Sequence, residues 1–282
     1  MAAPLETYRG VVNAWECDVV AHFTIAYYFD RFADATLNFF DLIGAGDCRQ
    51  AVRLGPARSR ASFEHELRAG DAFHILTAVA GLDGPALQLG HQVIDSSTRR
   101  TVTWFKETFP LPETLTESDR EKLSAFCLPW AGPSTADHPP PQAANAPLTA
   151  RDRVKPWEIG EDGTLSLAAQ VLRFSAAAQQ ALAAAGMTPA YMQAERRGFS
   201  TFGLDLARVG KARTGDVIDV RTAISHLGKS SLRLAHRMTD AQGGEIAFLV
   251  QSGVHLSMDA RRSAPIPDEL RAAMEKLMVP DP

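Results

Sequence analysis

The chain has 282 residues, room for one large domain or two of ordinary size. Its 29 Lys and Arg against 33 Asp and Glu leave a formal charge of −4, which excludes a strongly basic nucleic-acid binder. An apolar fraction of 45% with 22% charged residues excludes wholesale disorder, and no run nears the roughly 18 apolar residues that suggest a membrane span.

Residues 1–10 lack a basic stretch followed by an apolar core, so no secretory leader is expected. Cys17, Cys48 and Cys127 are odd in number and form no CxxC pair, which supports neither a disulfide framework nor a zinc ribbon. A cytoplasmic protein is the expectation. Val11–Trp15 then reads as a short strand. From Ala26 to Ile43 apolar residues, among them Phe29, Phe32, Phe39 and Phe40, cover most of a helical circumference, the pattern of a buried helix. Gly44 supplies a left-handed stop. Strand-like runs follow at Arg60–Leu67, Ala72–Leu82, Ala86–Asp95 and Thr101–Phe109, with turn chemistry between them. A polar-faced helix over about Thr116–Phe126 closes this series. The next stretch, 129–150, holds six of the 17 prolines and no apolar periodicity, so it reads as an extended linker.

Beyond the linker the same order recurs. Trp15-Glu16 is matched by Trp157-Glu158 at an offset of 142, and the offset persists at Phe32 and Phe174 and at Gly44 and Gly186. Gly70-Asp71 pairs with Gly215-Asp216 at an offset of 145, as do His91 with His236 and Asp95 with Asp240. Ordered matches over this length mean two copies of one fold. The second copy predicts a helix over about Ser166–Ala185, strands around Ser200–Leu206, Val217–Leu227, Ser231–Asp240 and Glu245–His255, and a last helix near Pro267–Met278. One long helix followed by an antiparallel meander is an α+β layout in which the sheet wraps the helix. The expected domains are 1–128 and 151–282, joined by 129–150.

This order resembles the hot-dog fold. Around the first strand–helix junction, Asp18-Val19-Val20-Ala21-His22-Phe23-Thr24 resembles the Asp-x-x-Gly-His-(Met/Val)-Asn motif of the 4-hydroxybenzoyl-CoA thioesterase superfamily. Glu66 with Gly70-Asp71 resembles its second signature, and Met258-Asp259 with Arg261-Arg262-Ser263 resembles the end of the domain in tandem versions. The resemblance implies two hot-dog domains in tandem, each an antiparallel sheet wrapped around a buried central helix, forming an intrachain pseudo-dimer that could pair again as a homodimer. It implies hydrolysis of an acyl-CoA thioester, with Asp18 as nucleophile or general base and His22 beside it. No metal or cofactor is expected, and the CoA belongs to the substrate.

A thioester carbonyl needs a positioned oxygen nucleophile and donors for the developing oxyanion, and the first-turn amides of a helix are such donors. Capping of that helix by Asp18 is the plainer role for the same residue. Candidate substrate contacts are Ala21, Thr24, Tyr27, Tyr28 and Glu66 in the first copy, with Lys229, Ser230, Arg261 and Arg262 of the second reaching phosphates. Cys17 stands between Glu16 and Asp18, whose charges oppose a thiolate, so it is not a nucleophile.

Two departures bear on activity. The family's Gly is Ala21 and its Asn is Thr24. The second copy departs further, since Asp18 aligns with Gly160, His22 with Thr164 and Glu66 with Lys211, so one working site per chain is expected. An acyl-CoA-binding protein without turnover is the alternative. A hydratase or dehydratase fits less well, because Asn and Pro are absent from the loop and position 36 is Thr.

Overall fold

The structure is a computed structural model that describes residues 3–46, 48–49, 55–82, 84–111, 115–134, 138, 143 and 145–278. The chain divides into two compact units, Met1–Thr135 with Gly160–Val171, and Ala136–Ile159 with Leu172–Pro282.

In the first half of the chain, β1 (Leu5–Val11) leads through a 3-10 turn at Ala14–Glu16 and a loop into α1 (Ile25–Ile43). The strands β2 (Arg58–Phe63), β3 (Ala72–Gly81), β4 (Ala86–Asp95) and β5 (Thr101–Pro110) complete an antiparallel sheet in the order β1-β3-β4-β5-β2, and α2 (Glu117–Ser124) follows. Two expected strands differ. The one predicted at Val11–Trp15 ends at Val11, because the Glu16 carboxylate accepts the Asn13 backbone N–H at 2.8 Å and winds the chain into the turn. The one predicted to run to Leu67 stops at Phe63, where the amides of Glu64 and His65 both turn to the Val102 carbonyl at 2.9 and 3.2 Å.

Helix α1 buries one face rather than its whole circumference. Phe29, Phe32, Phe39 and Phe40 are at most 1% exposed, and Phe32 stacks on Phe105 of β5 at 3.9 Å. Asp30, Asp34, Asn38 and Asp41 recur at helical spacing on the exposed side, a stripe that the apolar count concealed. Gly44 ends the helix at φ 70°, the left-handed conformation that costs least without a Cβ.

The second half repeats the order. It runs through β6 (Leu148–Arg153), a 3-10 turn at Pro156–Glu158, α3 (Leu167–Ala184), a short α4 (Pro189–Ala194), β7 (Arg197–Arg208), β8 (Val217–Leu227), β9 (Ser231–Asp240), β10 (Glu245–Ser257), β11 (Arg262–Ser263) and α5 (Asp268–Glu275). The strand order is β6-β8-β9-β10-β7, with β11 on β10. Each half is thus a hot-dog domain, an antiparallel sheet wrapped on a central helix. The tryptophans that mark the repeat are surface residues, Trp15 being 76% and Trp157 80% exposed. The repeat is carried instead by the glutamate after each, since Glu16 pairs with Arg31 and Glu158 with Arg173 at the same places in the two halves.

Of the proline-rich stretch, residues 135–137, 139–142 and 144 lie outside the described residues. Before them the chain is fastened to the first sheet. Val79 donates to the Phe126 carbonyl at 3.0 Å and accepts from Leu128 at 2.9 Å, and Trp130 lies over Gly90, where a Cβ would come within 2.5 Å of the ring. At the far end β6 already begins at Leu148, inside the expected linker. No helix among the described residues is long and apolar enough to cross a membrane.

Both halves bury a polar column between sheet and helix. Thr7 meets Thr77 at 2.7 Å and Thr77 meets His91 Nδ1 at 2.8 Å. Thr149, Thr222 and His236 repeat those contacts at the same distances. Burial holds the His236 imidazole down at about 4, against roughly 6.5 in an unfolded chain. Between those values the unfolded chain binds the extra proton. Stability from this group is therefore complete above about pH 6.5 and is lost progressively as the pH falls toward 4. Urea unfolding of wild type between pH 7 and 4.5 is expected to show this slope, and His236→Gln to flatten it. An equal slope in that variant would remove His236 as the source.

Candidate active site

The loop before α1 is a closed hairpin. Cys17 and Phe23 pair as an antiparallel bridge, Asp18 N–H donates to the His22 carbonyl at 2.8 Å, and Ala21 N–H donates to the Asp18 carbonyl at 3.0 Å. Asp18 does not cap α1. Thr24 is the N-cap, six residues later, because the Asp18 side chain is occupied in its own turn. Its Oδ1 accepts the amides of Val20 at 2.9 Å and His22 at 3.0 Å. Both bonds fall on one oxygen of an exposed carboxylate, which holds the group still while Oδ2 is not used by the loop.

Ala21 takes φ 62°, in the left-handed region. At the matching position of the second half Gly163 takes φ 74°, and Gly163 and Gly160 repeat the loop's backbone bonds at 3.1 and 2.8 Å. The family's glycine therefore answers to a backbone conformation here, and Ala21 adopts it with strain. Ala21→Gly is expected to stabilise the protein by about 0.5–1 kcal/mol, the left-handed penalty less the added entropy of glycine in the unfolded chain. Denaturant melts of the two proteins check this. A loss of stability would show that the alanine methyl is needed.

The second signature supplies the other wall. Gly70 at φ 92° and Asp71 form a turn in which Asp71 Oδ2 accepts the Arg68 amide at 2.8 Å, while Gly70 N–H donates to Val12 and Val12 N–H to Asp71, at 2.9 and 3.0 Å. Phe23 N–H donates to the Leu67 carbonyl at 2.7 Å and ties the hairpin to this segment. Leu67 is 1% exposed. Its neighbours on either side, Glu66 and Arg68, are exposed. Both reach the same histidine atom, with His22 Nε2 standing 3.2 Å from Glu66 Oε2 and 3.4 Å from Arg68 Nη2.

The structure thus gathers Asp18, Ala21, His22, Thr24 and Glu66 within the first unit. Arg68 was not among the sequence candidates. Tyr27 is half-buried and stacks on Phe23 at 6.2 Å. Tyr28 is a packing residue, 3% exposed against Phe23 and Phe63, and burial pushes its hydroxyl above the usual tyrosine range. The Thr24 hydroxyl makes no cap bond, so the first-turn amides of α1 receive no side-chain acceptor from it. The other predicted contacts lie in the second unit. Lys229 and Ser230 sit in the β8–β9 turn closed by Gly228 N–H to the Ser231 carbonyl at 2.8 Å, Arg261 lies in the exposed turn before β11, and Arg262 is the first residue of β11. Among the described residues no group of three His, Cys, Asp or Glu could hold a metal ion.

The sequence profile of the thioesterase-like superfamily matches residues 12–109 and 154–274, one segment for each half. The chain belongs to the thioesterase-like superfamily. No curated protein sequence matches it. Among solved structures it is similar to an acyl-ACP thioesterase from Bacteroides thetaiotaomicron, with 10% identity over 87% of this chain and 96% of that one at a TM-score of 0.66. The 12:0-ACP thioesterase from Umbellularia californica gives 15% identity over 88% and 96% of the two chains at the same TM-score. At such identities the likeness is one of fold. In this member of the superfamily the motif loop of the first half carries Asp18 and His22, and the second half keeps the loop's backbone without either side chain.

Proposed function

We propose that this protein hydrolyses an acyl-CoA thioester at the first-half loop, with the domains 1–128 and 151–282 as the two copies and the chemistry in the first. Asp18 is the acting carboxylate, either attacking the carbonyl carbon or taking a proton from the water that does. In both routes the C–S bond breaks, and water ultimately supplies the acid's hydroxyl and the thiol's proton. The first-turn amides of α1 are the donors for the developing oxyanion. His22 acts beside Asp18 in moving a proton. Ala21, Thr24, Tyr27 and Glu66 border the thioester.

One observation carries this reading. A carboxylate locked by two backbone amides shares an exposed hairpin with a histidine held from Glu66 and Arg68, in a chain of the thioesterase-like superfamily. The departure at Ala21 does not favour binding without turnover, because its backbone conformation matches that of Gly163. The test is thiol release from a panel of short, branched, aromatic and long acyl-CoAs, read beside enoyl absorbance and thermal stability. Thiol release above the spontaneous rate for at least one acyl group is expected. Thermal stabilisation with no thiol released would identify a binding protein, and loss of enoyl absorbance alone a hydratase.

A further inference from the structure

Glu66 and Arg68 make incompatible demands on one atom. A neutral imidazole nitrogen either carries a proton and donates, or carries a lone pair and accepts. Glu66 Oε2, 3.2 Å from His22 Nε2, is satisfied by a proton there. Arg68 Nη2, 3.4 Å from the same nitrogen, can only donate, and so requires the lone pair. His22 Nδ1 meets no partner among the described residues, so its state follows from the outcome at Nε2. We propose that Arg68 is a positioning residue that competes with Glu66 for His22 Nε2 and thereby sets which tautomer His22 presents at Nδ1.

The two tautomers do different chemistry. With Nε2–H on Glu66, Nδ1 offers a lone pair and can take a proton, the arrangement in which a carboxylate orients a histidine base. With Arg68 donating to Nε2, the proton moves to Nδ1, which then offers an N–H to an oxygen on which negative charge is building. Each state leaves the atom count unchanged, since one proton exchanges between the two ring nitrogens. Of the acidic groups nearby in the chain, Asp18 accepts the His22 backbone amide at 3.0 Å and Asp71 the Arg68 backbone amide at 2.8 Å. The second half has Thr164 in place of His22 and Lys211 in place of Glu66, and retains Arg213 where Arg68 stands, so the competition belongs to the first half alone. The use of either tautomer in catalysis rests on the thioesterase reading; the competition itself does not.

The test reads the ring directly. The chain has eight histidines, and His22→Gln identifies the His22 signals in spectra of ring-15N-labelled protein above the pH at which imidazole protonates. Arg68→Met is expected to drive His22 to the Nε2–H tautomer, and Glu66→Gln to the Nδ1–H tautomer. Arg68→Lys, which keeps a donor, is expected to return the wild-type ratio. An unchanged tautomer ratio in Arg68→Met would overturn the proposal. Thiol release is measured on the same samples. If the tautomers move as expected and wild type releases no thiol, the thioesterase reading fails and the competition stands.

Discussion

Asp18→Asn is expected to lower turnover of acyl-CoA by roughly 100- to 10,000-fold, the range typical of removing one acid–base group, without unfolding the loop. The choice of asparagine follows from the geometry. The amides of Val20 and His22 both donate to Oδ1, and an asparagine side-chain oxygen still accepts both. The hairpin is therefore kept while the charge and basicity are removed. Asp18→Ala is a poorer test, because it leaves both amides without the acceptor that shapes the turn. Turnover is read as thiol release and folding as the melting temperature of the same samples. Unchanged turnover with an unchanged melting temperature would take Asp18 out of the chemistry.

The largest stability effect is expected away from the site, in the first half's buried column. Glu107 is 1% exposed, His91 is fully buried and Thr36 is 3% exposed. The Thr36 hydroxyl donates to Glu107 Oε2 at 2.5 Å, and His91 Nε2 lies 3.2 Å from the same oxygen. Glu107→Ala leaves two buried polar groups without that partner and opens a cavity, at an expected cost of about 3–5 kcal/mol. The second half shows the milder exchange. Gln251 stands where Glu107 stands, opposite Leu234 as Glu107 is opposite Leu89, and Ala178 replaces Thr36. Glu107→Gln keeps an acceptor for both partners and is expected to cost about 1 kcal/mol or less. Urea unfolding of the two variants separates the cases, and equal costs would show that the column is held by packing alone.

Much of this fold was legible in the sequence because it is written twice. The two helices and the strands at 72–81, 86–95, 101–110, 217–227 and 231–240 fall where periodicity and turn residues put them. The strand ends near the site did not, since the Glu16 carboxylate and the Val102 carbonyl reshape the chain through bonds that no apolar pattern encodes. The same limit explains Asp18 and Ala21. The sequence offered helix capping for one and a departure from the family's glycine for the other, whereas the structure uses the first to close a hairpin and bends the second into a left-handed conformation. Arg68 was hidden because its partner is 46 residues earlier and is reached only once Phe23 bonds Leu67.

If one loop of the two does the chemistry, matched variants of the two loops differ in turnover. In the second-half loop Asp162 accepts the Thr164 amide at 3.0 Å and its hydroxyl at 2.6 Å. Asp162→Asn therefore removes a loop charge as Asp18→Asn does in the first half. Thiol release from the best acyl-CoA of the panel is expected to fall at least about 100-fold in Asp18→Asn and to stay at the wild-type rate in Asp162→Asn. Loss of turnover in Asp162→Asn with full turnover in Asp18→Asn would place the chemistry in the second-half loop.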